Sequence, residues 1–297
     1  MDDRPLRLSA LGQRARPLAI ADLMQRALEI PGLLSLAAGF TDNETLPLAE
    51  VHGIVADLAA AGDRSVLQYG TNAGLPELRE WVVQRTAQLD GLVAWGTIDD
   101  AFITNGSQQA LLIGLETVAN PGDILLVEAP TYFVLLEAAA TLGIDCRPLP
   151  SLPSGDLDLD ALPTFLAGLP RERVAALYLQ SYFANPTSRS RTPAEKRALA
   201  DALLAADLRV PVLEDAAYRE LYFSSPAPAP SVLADPAWEA FPRLYLGTFT
   251  KPFASGLKVG YGLCSSKRWR EAILAVKGGR DFGTAHFNQC VVHRALV

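Results

Sequence analysis

A chain of 297 residues, 49% hydrophobic and 20% charged, has an ordinary globular composition with room for one large domain or two. Its net charge of -7 argues against nucleic acid or an anionic membrane surface as the main partner. No run approaches the about twenty apolar residues of a membrane span, and the amino terminus lacks the charged-then-apolar order of a signal peptide, so the expectation is a cytosolic protein with small-molecule partners.

Leu18 to Leu28 is amphipathic and closed by Pro31-Gly32, which sets residues 1–32 apart as an arm or first helix before a domain over residues 33–297. A short apolar run from Leu33 leads into a polar loop containing Gly39, and a helix is predicted from Leu48 to Ala60. Gln68-Tyr69-Gly70 opens a turn-rich segment feeding a helix whose Leu75, Leu78, Trp81 and Val82 follow a helical period. Ala101 to Thr104 reads as a strand, Asn105-Gly106-Ser107 as a turn, and Gln108 to Ala119 as a helix capped by Ser107. Free amides, a hydroxyl and the positive end of the helix dipole would together suit an anion.

Ile124–Val127, Ile144–Pro148, Val174–Leu179 and Val210–Leu213 read as strands, alternating with helices from Tyr132 to Gly143 and from Pro193 to Ala206. This alternation predicts an α/β fold, a mostly parallel sheet with helices on both faces. Ligands in such sheets bind beyond the carboxyl ends of strands, where Tyr132, Asn185, Asp215 and Tyr218 fall. The proline-rich Ser224–Pro236 segment reads as a loop, Arg243–Leu246 as a strand leading to Lys251, and Lys258 follows seven positions on. After Lys267 come an amphipathic helix, a glycine turn at Gly278-Gly279 and a last helix from about Thr284 through His293. Cys146, Cys264 and Cys290 are scattered and the three histidines dispersed, so neither a disulfide framework nor a metal site is signalled.

A lysine at the end of a buried strand is partly desolvated, which lowers its pKa and makes it a nucleophile towards carbonyls. Thr248, Thr250 and Lys258 bring donors of the kind a phosphate needs. Singly, each feature has a plainer reading: a surface lysine, a capped helix, a packing tyrosine. Together, an amine, an anion cradle, a strand-end aromatic and an acid with a nearby phenol are what pyridoxal 5′-phosphate (PLP) requires. Its aldehyde forms a Schiff base with lysine, its phosphate needs an anion site, and a carboxylate keeps its ring nitrogen protonated.

Thr-Asn-Gly-Ser-Gln-Gln-Ala-Leu, Glu-Ala-Pro-Thr-Tyr, Asn-Pro-Thr, Glu-Asp-Ala-Ala-Tyr and Gly-Thr-Phe-Thr-Lys-Pro-Phe-Ala-Ser-Gly-Leu-Lys-Val-Gly-Tyr stand in the order and spacing of the fold-type I, class I/II aminotransferases. From about Leu33 to its end the chain resembles the subgroup that includes α-aminoadipate and kynurenine aminotransferases and the aminotransferase-like half of certain bacterial regulators. The resemblance implies a PLP enzyme moving an amino group between an L-amino acid and a 2-oxo acid by ping-pong exchange. Lys251 would carry the Schiff base and move protons, Asp215 would pair with the ring nitrogen, and Asn185 and Tyr218 would bond the phenolic oxygen. Tyr132 would stack on the ring, while Ser107, Gln108, Thr248, Thr250 and Lys258 would hold the phosphate. Tyr69 would reach that phosphate from the other subunit of a homodimer, and Gly39 and Asn185 would approach the substrate.

The sequence departs from the family at Lys258, where arginine is usual, and at Ser188, where glycine follows Asn-Pro-Thr. Ser181-Tyr-Phe-Ala also replaces a more usual Pro-x-Phe-Gln. Members continue for about a hundred further residues, a domain-sized piece that carries an arginine for the substrate carboxylate. The expectation is therefore a chain without that small domain and with reduced turnover. Arg14 and Arg16 are alternative carboxylate contacts, or plain surface charges. Elimination, racemisation or decarboxylation on the same core, and a non-catalytic PLP-binding module, are the other functions this pattern admits.

Overall fold

The computed structural model describes residues 6–17, 19–34, 36, 39 and 41–297. Its helices are α1 (Ala10–Arg14), α2 (Ala19–Glu29), α3 (Leu48–Ala60), α4 (Pro76–Leu89), α5 (Gly106–Glu116), α6 (Phe133–Leu142), α7 (Leu162–Ala167), α8 (Pro193–Ala205), α9 (Lys267–Asp281) and α10 (His286–Leu296). Its strands are β1 (Ala101–Asn105), β2 (Ile124–Val127), β3 (Asp145–Pro148), β4 (Val174–Leu179), β5 (Val212–Asp215), β6 (Arg243–Thr248) and β7 (Val259–Cys264). They form one sheet in the order β1-β7-β6-β5-β4-β2-β3, parallel throughout except that β7 runs against both of its neighbours.

Alternate residues of a strand face opposite ways, and here both sides are apolar because both are covered. Leu125 and Val127 pack with Leu111 and Leu115 of α5, Leu135 of α6 and Ile273 of α9. Ile124 and Leu126 pack on the other side with Leu162 of α7 and Leu199 and Leu203 of α8. Leu78 and Val82 of α4 and Val292 of α10 cover the β1 and β7 end of that second face. Each fully buried leucine contributes about 1.5–3 kcal/mol.

Several sequence expectations shift. β5 starts at Val212 rather than Val210, because Pro211 has no N–H to give a ladder, and it runs on to Asp215. The predicted turn at Gly278-Gly279 lies inside α9. A Cβ on Gly278 would stand 2.8 Å from the Asn72 amide nitrogen, which donates to Leu274 O at 2.6 Å, so this glycine serves a close approach. β7 escaped the sequence reading because glycines interrupt its apolar run. A Cβ at Gly262 would lie 2.3 Å from the Phe102 ring, and one at Gly260 would lie 2.4 Å from the Gly106 backbone.

Arg14 is not a free surface charge. Its guanidinium donates to Thr141 O at 2.9 Å and Leu142 O at 3.3 Å, where the last carbonyls of α6 lack helical partners, and so it anchors the arm.

Two buried ion pairs fix the segment that follows β5. Lys196 of α8 meets Glu214 at 2.6 Å, and Arg219 meets Asp90 at 2.5 Å. Glu214 also accepts from Val232 N at 2.8 Å, and Asp90 from Ser231 N at 2.8 Å, so both pairs pin the proline-rich loop. Lys196→Met strands the Glu214 carboxylate and should cost about 3–5 kcal/mol in urea unfolding. Adding Glu214→Gln, a neutral group that can still accept from Val232 N, should recover part of that loss, whereas equal costs for the single and double variants would show that the pair is not what matters.

Candidate active site

Because β1, β6, β5, β4 and β2 point the same way, their carboxyl ends share one edge, and β7 begins there. A cavity of ≈ 970 Å³ opens at this edge, with Gln108, Tyr132, Asn185, Tyr218, Lys251 and Lys258 in its wall. Gly39 and the α2 residues Ile20 and Met24 border it too. A niche of ≈ 40 Å³ lies beneath, where Ser107, Gln108, Tyr132, Asp215, Tyr218 and Lys251 meet. The expected residues from five separate chain segments therefore converge.

Tyr69 does not join them. It is 82% exposed and lines neither the cavity nor the niche, its ring edge-on to Phe282 at 6.0 Å. Thr248 and Thr250 stay within the turn that presents Lys251. Their hydroxyls lie 2.7 Å apart, Thr250 N donates to Thr248 Oγ1 at 3.1 Å, and that hydroxyl reaches Val259 O at 3.3 Å.

Lys251 lies three residues beyond β6, its ammonium 5.8 Å from the Tyr218 ring centroid. The cleft is open to water, yet protein crowds the amine, and this desolvation lowers its pKa; Lys258 adds to the lowering and Asp215 opposes it. Asp215, the last residue of β5, has a raised pKa because burial outweighs its donors. Those donors are Tyr178 Oη to Oδ2 at 2.8 Å and Ala217 N to Oδ1 at 3.0 Å, with the Lys251 charge assisting. Burial, then Asp215, pushes the Tyr132 phenol up to about 12, and raises that of Tyr218, on which the Asn185 side chain acts in the opposite sense.

Ser107 was expected as a helix cap, but α5 begins at Gly106, and Asn105 takes the cap position without a side-chain cap bond. Gln109 instead accepts from Asn105 N at 2.8 Å. Ser107 and Gln108 thus lie in the first turn, whose amides have no partner within the helix. Asp281 of α9 holds this corner, accepting from Asn105 Nδ2 at 3.2 Å and Gln109 Nε2 at 2.9 Å.

Sequence reasoning missed the groups behind the site. Tyr178 looked like one more apolar position in a buried strand. Gln180 accepts from Asn185 N at 2.7 Å and donates its own N–H to Glu128 at 2.8 Å, and Arg191 closes the chain on Glu128 at 2.5 Å. A glutamine and a glutamate just past two apolar strands were the available signal. Ser188 adopts φ +56°, the left-handed conformation that explains glycine at this position in the family.

A cofactor with an aldehyde, a phosphate and a basic ring nitrogen fits these groups. Asp215 is a half-buried, desolvated acid that a cation would stabilise, Lys251 is an amine with lowered pKa, and glycine at 260 lets β7 lie directly against the start of α5.

The Aminotransferase class I and II sequence profile matches residues 31–292, and the chain belongs to that family. It is 33% identical over 272 residues to the 2-aminoadipate transaminase of Thermus thermophilus, covering 90% of this chain and 63% of that one. It is 31% identical over 290 residues to aromatic-amino-acid aminotransferase 1 of Thermococcus litoralis, covering 95% and 65%. The chain therefore spans a little under two thirds of the length of these curated relatives. The crystal structure of Thermus thermophilus LysN, an alpha-aminoadipate aminotransferase complexed with N-(5'-phosphopyridoxyl)-L-leucine, superposes with a TM-score of 0.82 at 29% identity, over 97% of this chain and 69% of that one.

Removing the like charge by Lys258→Met raises the pKa of Lys251. Acylation of Lys251 at about pH 8 should then slow roughly threefold against the surface Lys267, read by peptide mass spectrometry; an unchanged ratio would assign the lowering to burial alone. Ser188→Gly relieves the left-handed backbone and should raise unfolding stability by about 0.5–1 kcal/mol.

Proposed function

We propose that the protein is a PLP-dependent aminotransferase that moves an amino group between an L-amino acid and a 2-oxo acid. The observation that carries this reading is one niche bordered by an amine with lowered pKa, Lys251, and a half-buried acid with raised pKa, Asp215, beside the start of α5. Relatives named for amino-group transfer, and a neighbour holding a phosphopyridoxyl amino acid, support it.

PLP, when bound, supplies an aldehyde that condenses with amines and a ring that takes up electrons. Lys251 would be the amine that holds that aldehyde, and with its nitrogen free it would be the base that carries a proton to and from the substrate Cα. Its lowered pKa keeps a larger fraction of it neutral near pH 7, which both tasks need. Asp215 would hold a proton on the ring nitrogen, and a cation there would relieve the carboxylate of its desolvation penalty. Asn185 and Tyr218 would donate to the phenolic oxygen, and Tyr132 would pack on the ring. Ser107 and Gln108 in the α5 turn and Lys258 are the phosphate ligands, with Thr248 and Thr250 shaping the turn behind them. Gly39 and Asn185 approach the substrate.

The arm over residues 1–32 and the PLP domain over 33–297 make up the proposed organisation, in accord with a family match that begins at residue 31. Homodimerisation accords with an exposed Tyr69 outside its own cavity, available to a second subunit. Three free cysteines suit a reducing compartment such as the cytosol. No helix among the described residues is long and apolar enough to cross a membrane, and none of their His, Cys, Asp and Glu side chains cluster as a metal site.

Titrating the protein with PLP should produce a visible absorption band that Lys251→Ala lacks. Adding glutamate, 2-aminoadipate or kynurenine should bleach it towards the near-ultraviolet as the amino group is handed over. A band that never shifts would leave a PLP-binding protein without transfer activity, and no lysine-dependent band would overturn the cofactor assignment.

A further inference from the structure

Asp215 has a second residue behind it that takes no part in the roles above. Tyr178 sits on β4, paired in register with Leu213 of β5. Tyr178 and Leu213 both belong to the core under α5 and α6, so the tyrosine rises on the face that also carries Asp215, two residues beyond Leu213. Its ring is fully buried, and its hydroxyl donates to Asp215 Oδ2 at 2.8 Å. Ala217 N takes the other oxygen at 3.0 Å. Each carboxylate oxygen thus has one fixed donor, which sets the plane of the carboxylate and leaves further lone pairs for a group in the niche.

We propose that Tyr178 is a positioning residue that acts through Asp215, fixing the carboxylate towards the niche and holding it ionised so that it can keep a proton on the cofactor ring nitrogen. This rests on the PLP reading given above. The physical need is specific. Burial favours the neutral acid, which cannot hold a ring cation, and a donated hydrogen bond favours the anion. Tyr178 is suited to donate, because burial together with Asp215 and Glu128 raises its own pKa and keeps its proton in place. The other charged or titratable groups around Asp215 are Lys251 from the turn after β6, which favours the anion, Tyr132 at the start of α6, and Tyr218 on its own loop.

The test is the pH midpoint of the visible band of the PLP-loaded protein, a spectroscopic quantity separate from turnover. A positive ring helps a neighbouring protonated nitrogen lose its proton, so weakening the Asp215 anion should raise the midpoint. Tyr178→Phe, which removes one oxygen and keeps the ring, should move it up by about one pH unit. In an Asp215→Asn background the same change should produce no further shift, since there is then no carboxylate to act through. A midpoint unmoved in Tyr178→Phe, or moved equally in both backgrounds, would overturn the proposal. Should Tyr178→Phe fail to fold, site-specific fluorotyrosine at 178 retains the bond with a stronger donor and should lower the midpoint, and no change would count against the role. Absence of any lysine-dependent band removes the PLP reading and this inference with it, whereas a band with an unshifted midpoint removes only the inference.

Discussion

The architecture of the site depends on how one strand ends in two consecutive carboxylates, Glu214 fully buried and Asp215 half-buried. Glu214 and Asp215 leave β5 towards opposite faces of the sheet. Glu214 is saturated, with Lys196 at 2.6 Å, the Ser181 hydroxyl and Val232 N all donating to it. Asp215 receives one phenol and one backbone amide and has a raised pKa. The first carboxylate fastens β5 to α8 and to the proline-rich loop. Its neighbour is left short of positive charge at the floor of a cavity, where a cationic ring nitrogen would complete it.

Strand direction supplies the rest. A parallel sheet collects strand ends on one edge, so Asp215, the turn bearing Lys251 and the first turn of α5 meet although they come from distant parts of the chain. β7 is the exception that makes this work. Running backwards beside β6, it starts at the edge where its neighbours stop and so brings Lys258 to the same cavity. Only glycine at 260 lets it do so, since a side chain there would enter the Gly106–Ser107 backbone.

Much of this was legible in the sequence, because the signals were local. Short apolar runs located β2 and β4 to the residue, and the spacing of Lys251, Lys258, Asp215 and Tyr218 was that of a known family. What escaped was set by tertiary contact. Gly278 reads as a turn until Asn72 is seen packed against it. Ser107 reads as a cap until Gln109 is seen closing that end of α5. Arg14 reads as a charge for a substrate until the end of α6 claims it. Tyr178 is an ordinary strand residue in sequence, and its importance lies in a hydroxyl aimed across to the next strand.

Chemical trapping decides whether Lys251 is the amine that meets an aldehyde cofactor. The protein is incubated with PLP, reduced with borohydride and mapped by peptide mass spectrometry. A single phosphopyridoxyl group is expected on the peptide carrying Lys251, with Lys258 and surface lysines such as Lys267 unmodified. Label spread over surface lysines, or concentrated on Lys258, would contradict it.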